Sequence, residues 1–218
     1  MTTDAQENIR ILPKKLLNYC SNLLNGLADF LIKLKFTPNS ITVLALLIGA
    51  GAGAFFAFGY PIWGGIFIVL CGIFDVMDGK VAVRTNRKTL FGAIFDSTLD
   101  RYSEFFIYLG LAYYFRDHWA LWILFFTLLG STMVSYTRAR AEGLGFECKV
   151  GIMQRAERMV LLTLGSIIGP IFDVFDPVII IVLGLIALVS NFTAIQRTLY
   201  VKKLETNEKT GKEAKSNG

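Results

Sequence analysis

The chain has 218 residues, 54% of them hydrophobic, and a net charge of +5 at pH 7. Together with a positive mean hydropathy, that apolar share excludes an ordinary soluble domain of this length. Cys20, Cys71 and Cys148 are odd in number and widely spaced, so they read as small buried hydrophobes, with no disulfide framework or thiolate metal site.

Met1 to Arg10 is polar and carries acids, which does not read as a cleavable signal peptide. From Leu16 to Leu34 a helical stripe follows: Leu16, Leu17, Cys20, Leu23, Leu24, Leu27, Phe30, Leu31 and Leu34, with Lys and Asn opposite. This predicts an amphipathic helix, lying on the membrane's cytoplasmic face or packed on the protein's own domain. Thr37-Pro38-Asn39-Ser40 then supplies a stop and a cap.

A window of about 20 apolar residues predicts six spans. They run over 40–59, 61–83, 90–115, 119–139, 159–172 and 177–200. In the first, Gly49-Ala50-Gly51-Ala52-Gly53 permits close helix contact. Basic residues alternate between connectors. Arg10, Lys14, Lys15, Lys33 and Lys35 precede the first span; Arg84, Arg87 and Lys88 follow the second; Lys149, Arg155 and Arg158 follow the fourth; Lys202 and Lys203 follow the sixth. The other three connectors carry only Arg116, with Asp173 and Asp176 on the last. By the positive-inside rule both termini are cytoplasmic, and the charge belongs to topology and anionic ligands, not to nucleic acid. The predicted architecture is an all-α integral membrane protein of six transmembrane helices preceded by a cytoplasmic amphipathic interfacial helix. Residues 1–38 form the cytoplasmic arm, 39–203 the transmembrane catalytic domain, and 204–218 a charged tail whose composition predicts disorder.

Spans two and three contain four carboxylates, Asp75, Asp78, Asp96 and Asp100. Each ionisable group at the bilayer centre costs about 2.5–3.5 kcal/mol, so four unpaired ones would oppose insertion by on the order of 10 kcal/mol. Such a cluster requires cations among the carboxylates or a wet cavity. On ideal helices Asp75 and Asp78 lie about 60° apart, and Asp96 and Asp100 about 40° apart, so each pair points one way. Two helices so equipped can hold one or two hard divalent cations, Mg²⁺ or Mn²⁺. Such ions clamp a phosphate or pyrophosphate, and a carboxylate at the edge can take a proton from an attacking hydroxyl. A structural polar network and an ion-translocation path are the alternatives. A secondary transporter needs polar groups reaching both sides and usually inverted repeats; no repeat is evident. A non-catalytic scaffold is a further alternative.

The stretch resembles the signature of the CDP-alcohol phosphatidyltransferases, Asp-x-x-Asp-Gly-x-x-Ala-Arg, eight residues, then Gly-x-x-x-Asp-x-x-x-Asp. Asp75, Asp78, Gly79, Ala82, Gly92, Asp96 and Asp100 all fall in register. The resemblance implies six helices, a cytosol-facing site, and transfer of the phosphatidyl group of CDP-diacylglycerol to an alcohol with release of CMP. It makes Asp75, Asp78, Asp96 and Asp100 the ligands of two Mg²⁺ or Mn²⁺ ions, with Asp100 also the catalytic base. Donor contacts are expected from Asn39, Gly79, Ala82, Arg87, Thr89 and Gly92. The motif's arginine slot holds Val83, followed by Arg84. Either Arg84 is brought round by local distortion, or Arg87 replaces the missing arginine, or the contact is absent.

Ser135-Tyr136-Thr137-Arg138 and the stretch Val150 to Arg158 resemble the corresponding region of prokaryotic phosphatidylinositol phosphate synthases. Arg138, Arg155, Arg158 and Arg197 border one cytoplasmic cavity by topology, and arginine forks suit an acceptor already carrying phosphate. These arginines could instead serve sidedness and pair with Glu142 and Glu157. By resemblance Ser135, Arg138, Arg155 and Arg197 hold inositol phosphate. Glycerol 3-phosphate and free inositol are the alternative acceptors. The resemblance also implies a homodimer in the plasma membrane, with exposed faces of spans three and four as contacts. His118, on the outer side by topology, reads as an interfacial polar residue beside Trp119.

Overall fold

The computed structural model describes residues 14–148 and 150–216, and within them the chain is all-α. Seven helices follow one another: α1 (Lys14–Lys33), α2 (Pro38–Ala57), α3 (Pro61–Arg84), α4 (Leu90–Tyr114), α5 (Ala120–Gly143), α6 (Arg155–Ile171) and α7 (Phe175–Ser216). Arg10, Lys149 and the polar segment Met1 to Arg10 lie outside the described residues.

Local chemistry sets the boundaries. Thr37 caps α2 in a reciprocal box with Ser40, and Pro38 occupies the first turn, where its missing N–H costs nothing. Pro61 opens α3 in the same way. Thr89 caps α4, its Oγ1 accepting from the Gly92 N–H at 2.9 Å. The helix expected from Met159 begins earlier, at Arg155, because Gln154 and Glu157 form a capping box in which the Gln154 N–H donates to Glu157 at 2.9 Å. At the far end, α7 is helical as far as Ser216, across residues whose composition suggests disorder.

Three described helices are long and apolar enough to cross a membrane: α2, α5 and α7 over Phe175–Thr206. α3 and α4 carry the aspartates, with Lys80, Arg101 and Glu104 among them, and α6 has only 17 residues. Helix packing runs from α2 to α3, α6, α7 and α5, with α4 against α2, and α4 meets α5 over a short stretch only. A groove of about 530 Å³ lies there, lined by residues of those two helices. The close approach of α2 to α4 depends on glycine: a Cβ at Gly110 would overlap the backbone of Gly53.

A large apolar core, including Phe56, Ile68, Ile107, Leu111, Leu162, Leu183 and Ile186, fills the half of the bundle away from the aspartates. A smaller one at the other end joins Ala28 and Leu31 of α1 to Ile41, Met77 and Val81. α1 therefore packs on the protein's own domain through one face, while Phe30 and Leu34 remain exposed. Cys71 and Cys148 are buried and free.

Candidate active site

Between the two cores α3 and α4 present their carboxylates to one another. Oxygens of Asp75, Asp78 and Asp96 lie within 4.8 Å of one another. Asp78 is buried, and its Oδ2 accepts a 2.7 Å hydrogen bond from Thr42 Oγ1 of α2. Asp96 Oδ1 is buried without a hydrogen-bond partner among the described residues. Three converging carboxylates with a buried unpartnered oxygen are what a hard divalent cation satisfies, so the donor set fits such an ion. Asp100 stands apart from this trio. Its Oδ1 pairs with Arg155 Nη1 at 2.8 Å, and the same nitrogen reaches Asp75 Oδ2 at 3.0 Å.

The aspartates divide two chambers. On one side a cavity of about 260 Å³ is lined by Asp78 and Asp96 together with Asn39, Thr42, Gly79, Ala82, Arg87, Lys88, Thr89 and Gly92. All six residues expected to contact the donor meet there. A Cβ at Gly79 would meet nothing within 4 Å, so this face of α3 opens onto free space. Thr89 is already engaged in capping α4, which leaves fewer free donors at that terminus than its position suggests. On the other side a cavity of about 660 Å³ is lined by Asp75, Asp100, Ser135, Arg138, Arg155 and Arg197, among others. The four expected acceptor residues thus share one chamber with the expected base.

Not every expected group is free within it. Arg138 pairs with Glu142 at 2.9 Å. Arg197 is buried and donates to the carbonyls of Val150 at 2.8 Å and Val134 at 2.5 Å, which tie it to the loop before α6 and to α5. Arg158 does not border the chamber: it is fully buried and forks onto Glu104, through Nε at 2.6 Å and Nη2 at 2.8 Å. The expectation that it faces the cavity is corrected by this pairing across 54 residues, which helix periodicity does not reveal. Thr42 and Lys88 were not expected at the site; Thr42 lies one helical turn from Asn39, the only sequence signal for it.

The arginine slot is resolved in orientation. Val83 is exposed and lines neither chamber. Arg84 turns to α1, pairing with Asp29 and donating to the Asn25 carbonyl at 3.0 Å. Asn86, at φ 58°, reverses the chain in the left-handed region, and the Arg87 N–H closes the helix end onto the Ala82 carbonyl at 2.9 Å. Arg87 and Lys88 then face the smaller chamber.

A model of the CDP-alcohol phosphatidyltransferases matches residues 35–192, from α2 into α7 and including all four aspartates. The chain belongs to that family. Among the relatives of this phosphatidyltransferase is an archaetidylinositol phosphate synthase of Methanothermobacter thermautotrophicus, 42% identical over 163 residues, covering 74% of this chain and 80% of the relative. A phosphatidylinositol phosphate synthase of Mycobacteroides abscessus is 30% identical over 162 residues, 72% of this chain and 74% of the relative. The crystal structure of the Mycobacterium tuberculosis phosphatidylinositol phosphate synthase with CDP-DAG bound has a TM-score of 0.76 at 27% identity, covering 83% of this chain and 94% of that one. The same synthase has been solved in complex with manganese and citrate, again with a TM-score of 0.76.

Proposed function

We propose that this enzyme transfers the phosphatidyl group of CDP-diacylglycerol to a hydroxyl of inositol phosphate, giving phosphatidylinositol phosphate and CMP. The observation that carries this reading is the pair of chambers meeting at one row of aspartates. The smaller has glycines and two cations suited to a nucleotide pyrophosphate; the larger has arginines suited to a phosphorylated alcohol. The relatives' names support inositol phosphate as acceptor, and the CDP-DAG-bound neighbour supports the donor.

Asp75, Asp78 and Asp96 would hold Mg²⁺ or Mn²⁺, two ions per site with Asp100 as a further ligand. When bound, the ions neutralise the charge that develops on the pyrophosphate oxygens. The chain's own groups do the rest. Asn39, Gly79, Ala82, Arg87, Thr89 and Gly92 seat the donor, and Ser135, Arg138, Arg155 and Arg197 orient the acceptor. The acceptor hydroxyl oxygen bonds to the phosphorus that carries diacylglycerol, and the bond from that phosphorus to the CMP oxygen breaks. The hydroxyl proton passes to the Asp100 carboxylate. Arg155 stands beside that base, so a phosphate held by its guanidinium places the rest of the acceptor near Asp100.

The topology follows the charge pattern: six spans in the plasma membrane, α1 at the cytoplasmic interface, and both termini and the site cytoplasmic. A homodimer would use the exposed apolar side chains of α4 and α5, among them Phe105, Leu109, Phe125 and Phe126.

The test is CMP release by the purified enzyme in nanodiscs containing CDP-diacylglycerol, with inositol phosphate, free inositol or glycerol 3-phosphate supplied in turn. Release is expected with inositol phosphate alone; release supported by another acceptor and not by this one overturns the assignment. Asp100→Asn should lower turnover by about 10²–10⁴-fold while leaving the donor KM near its parental value. A matching loss of donor affinity would make Asp100 chiefly a ligand.

A further inference from the structure

Below the Asp100–Arg155 contact lies a second carboxylate–guanidinium pair that the chemistry does not use. Glu104 follows Asp100 by one turn of α4, a rise of about 6 Å, and Arg158 follows Arg155 by almost one turn of α6, about 4.5 Å. Both steps run the same way, so the two pairs form successive rungs between the helices. The upper rung opens onto the acceptor chamber. The lower is buried, with Arg158 0% exposed and Glu104 5%, and only Glu104 borders a cavity, the groove between α4 and α5. Its geometry is a two-pronged fork, and Glu104 Oε1 also accepts from Tyr108 Oη at 3.3 Å, which in turn meets Ser131 of α5 at 3.2 Å. One network thereby joins α4, α5 and α6.

We infer that the buried Glu104–Arg158 pair is a positioning device that sets the register of α6 against α4, so that Arg155 and Asp100 face each other across the acceptor chamber. Stability alone gives little reason for it. Two buried ions lose their hydration, and replacing such a pair by apolar side chains of similar volume is often neutral or stabilising. What apolar contact lacks is direction. α4 and α6 are not among the closely packed helix pairs, so no ridge-and-groove fit sets their relative height. A fork accepts one alignment only, and a slide of α6 along its axis would break both hydrogen bonds together. α6 packs on α3 and α7, and two carbonyl contacts hold Arg197, but these reach the helix that bears Asp100 only through α2 or α5, whereas the Glu104–Arg158 fork joins α6 to α4 directly.

The inference rests on the reading of Asp100 as base and Arg155 as acceptor contact, and its test separates the two. CMP release by the parent enzyme first identifies the acceptor; a different acceptor overturns the substrate assignment, and the kinetics below are then measured with that acceptor. Arg158→Lys keeps the charge but loses the fork. It is expected to lower kcat and raise the acceptor KM by on the order of 10- to 100-fold in kcat/KM, since a misplacement of about 1 Å can cost that much. The donor KM should stay at its parental value, because the donor chamber is built from α2, α3 and α4. A merely structural pair would instead lower the folded yield and leave the kinetics of the folded fraction unchanged, and that result overturns the inference. Glu104→Gln combined with Arg158→Met removes both charges, leaves neither ion unpaired, and carries the test if single variants do not fold. It should fold and retain the acceptor defect. Parental acceptor KM and kcat in this double variant would show that register does not depend on the pair.

Discussion

At the scale of the residue, the departure at position 83 has a specific resolution. Val83 faces outward and Arg84 is spent on Asp29 of α1, whereas Arg87 has no ion-pair partner among the described residues and lines the donor chamber beside Lys88. In the proposed reading, the cation that the resemblance places on the last turn of the helix comes from just beyond it, after the left-handed turn at Asn86. A charge-assisted contact to phosphate is worth about 1.5–3 kcal/mol, so Arg87→Ala should raise the donor KM by roughly tenfold or more. Arg84→Ala and Val83→Arg should leave it unchanged. Initial rates against CDP-diacylglycerol concentration decide this, and a rise in Arg84→Ala instead would mean that the α1 contact opens in the working enzyme. Which arginine faces the site depends on a turn closing over three residues, and that was not legible from helix angles alone. The aspartates were legible, because four charges in apolar helices admit few explanations. Thr42 and the Glu104–Arg158 pair were not, since their partners come from 36 and 54 residues away.

At the scale of the element, α7 runs past the expected limit at residue 200, but the starts of α2, α3 and α4 were readable because Pro38, Pro61 and Thr89 mark them through local backbone chemistry. The start of α6 was less so. Gln154 and Glu157 form its box, but the charged first turn masked it from an apolar window. The glycine run of α2 was expected to allow close packing, and its partner is now α4: Gly49 faces Ser103, and Gly53 faces Gly110 and the Phe106 carbonyl. This contact holds Asp78's partner Thr42 and the helix carrying Asp96 in one rigid unit. Gly110→Val should therefore lower the Tm in detergent, since overpacking costs about 1–3 kcal/mol where the obstacle is a side chain, and here it is backbone. Gly184→Ala on α7, where a Cβ meets nothing within 4 Å, serves as the comparison and should not lower the Tm. Equal thermal melts for the two variants would show that α2 and α4 have room to separate.

At the scale of the whole molecule, the buried charged groups Asp78, Glu104, Arg158 and Arg197 gather toward one end. The core of Phe56, Ile107, Leu111 and Leu183 closes the other half of the bundle with apolar side chains, an arrangement suited to chemistry at one membrane face rather than passage across it. Asp75, Asp78 and Asp96 converge from two helices within 4.8 Å, and Arg155 pairs with Asp75 alone among them, so the mutual repulsion of the trio opposes the approach of α3 and α4 unless a metal cation answers it. An ion that binds the folded form alone stabilises it by about 2.7 kcal/mol at a hundredfold excess over its dissociation constant. For a chain of this length that corresponds to roughly 5–10 °C in Tm. Mg²⁺ or Mn²⁺ added to chelator-treated enzyme should therefore raise the melting temperature in the absence of any substrate. Asp78→Asn and Asp96→Asn should each diminish the rise, because each removes a charge from the trio. Gly79→Leu should leave it intact while abolishing CDP binding, since its side chain would enter the donor chamber without touching the carboxylates. A shift of parental size in both aspartate variants would place the ion elsewhere in the protein.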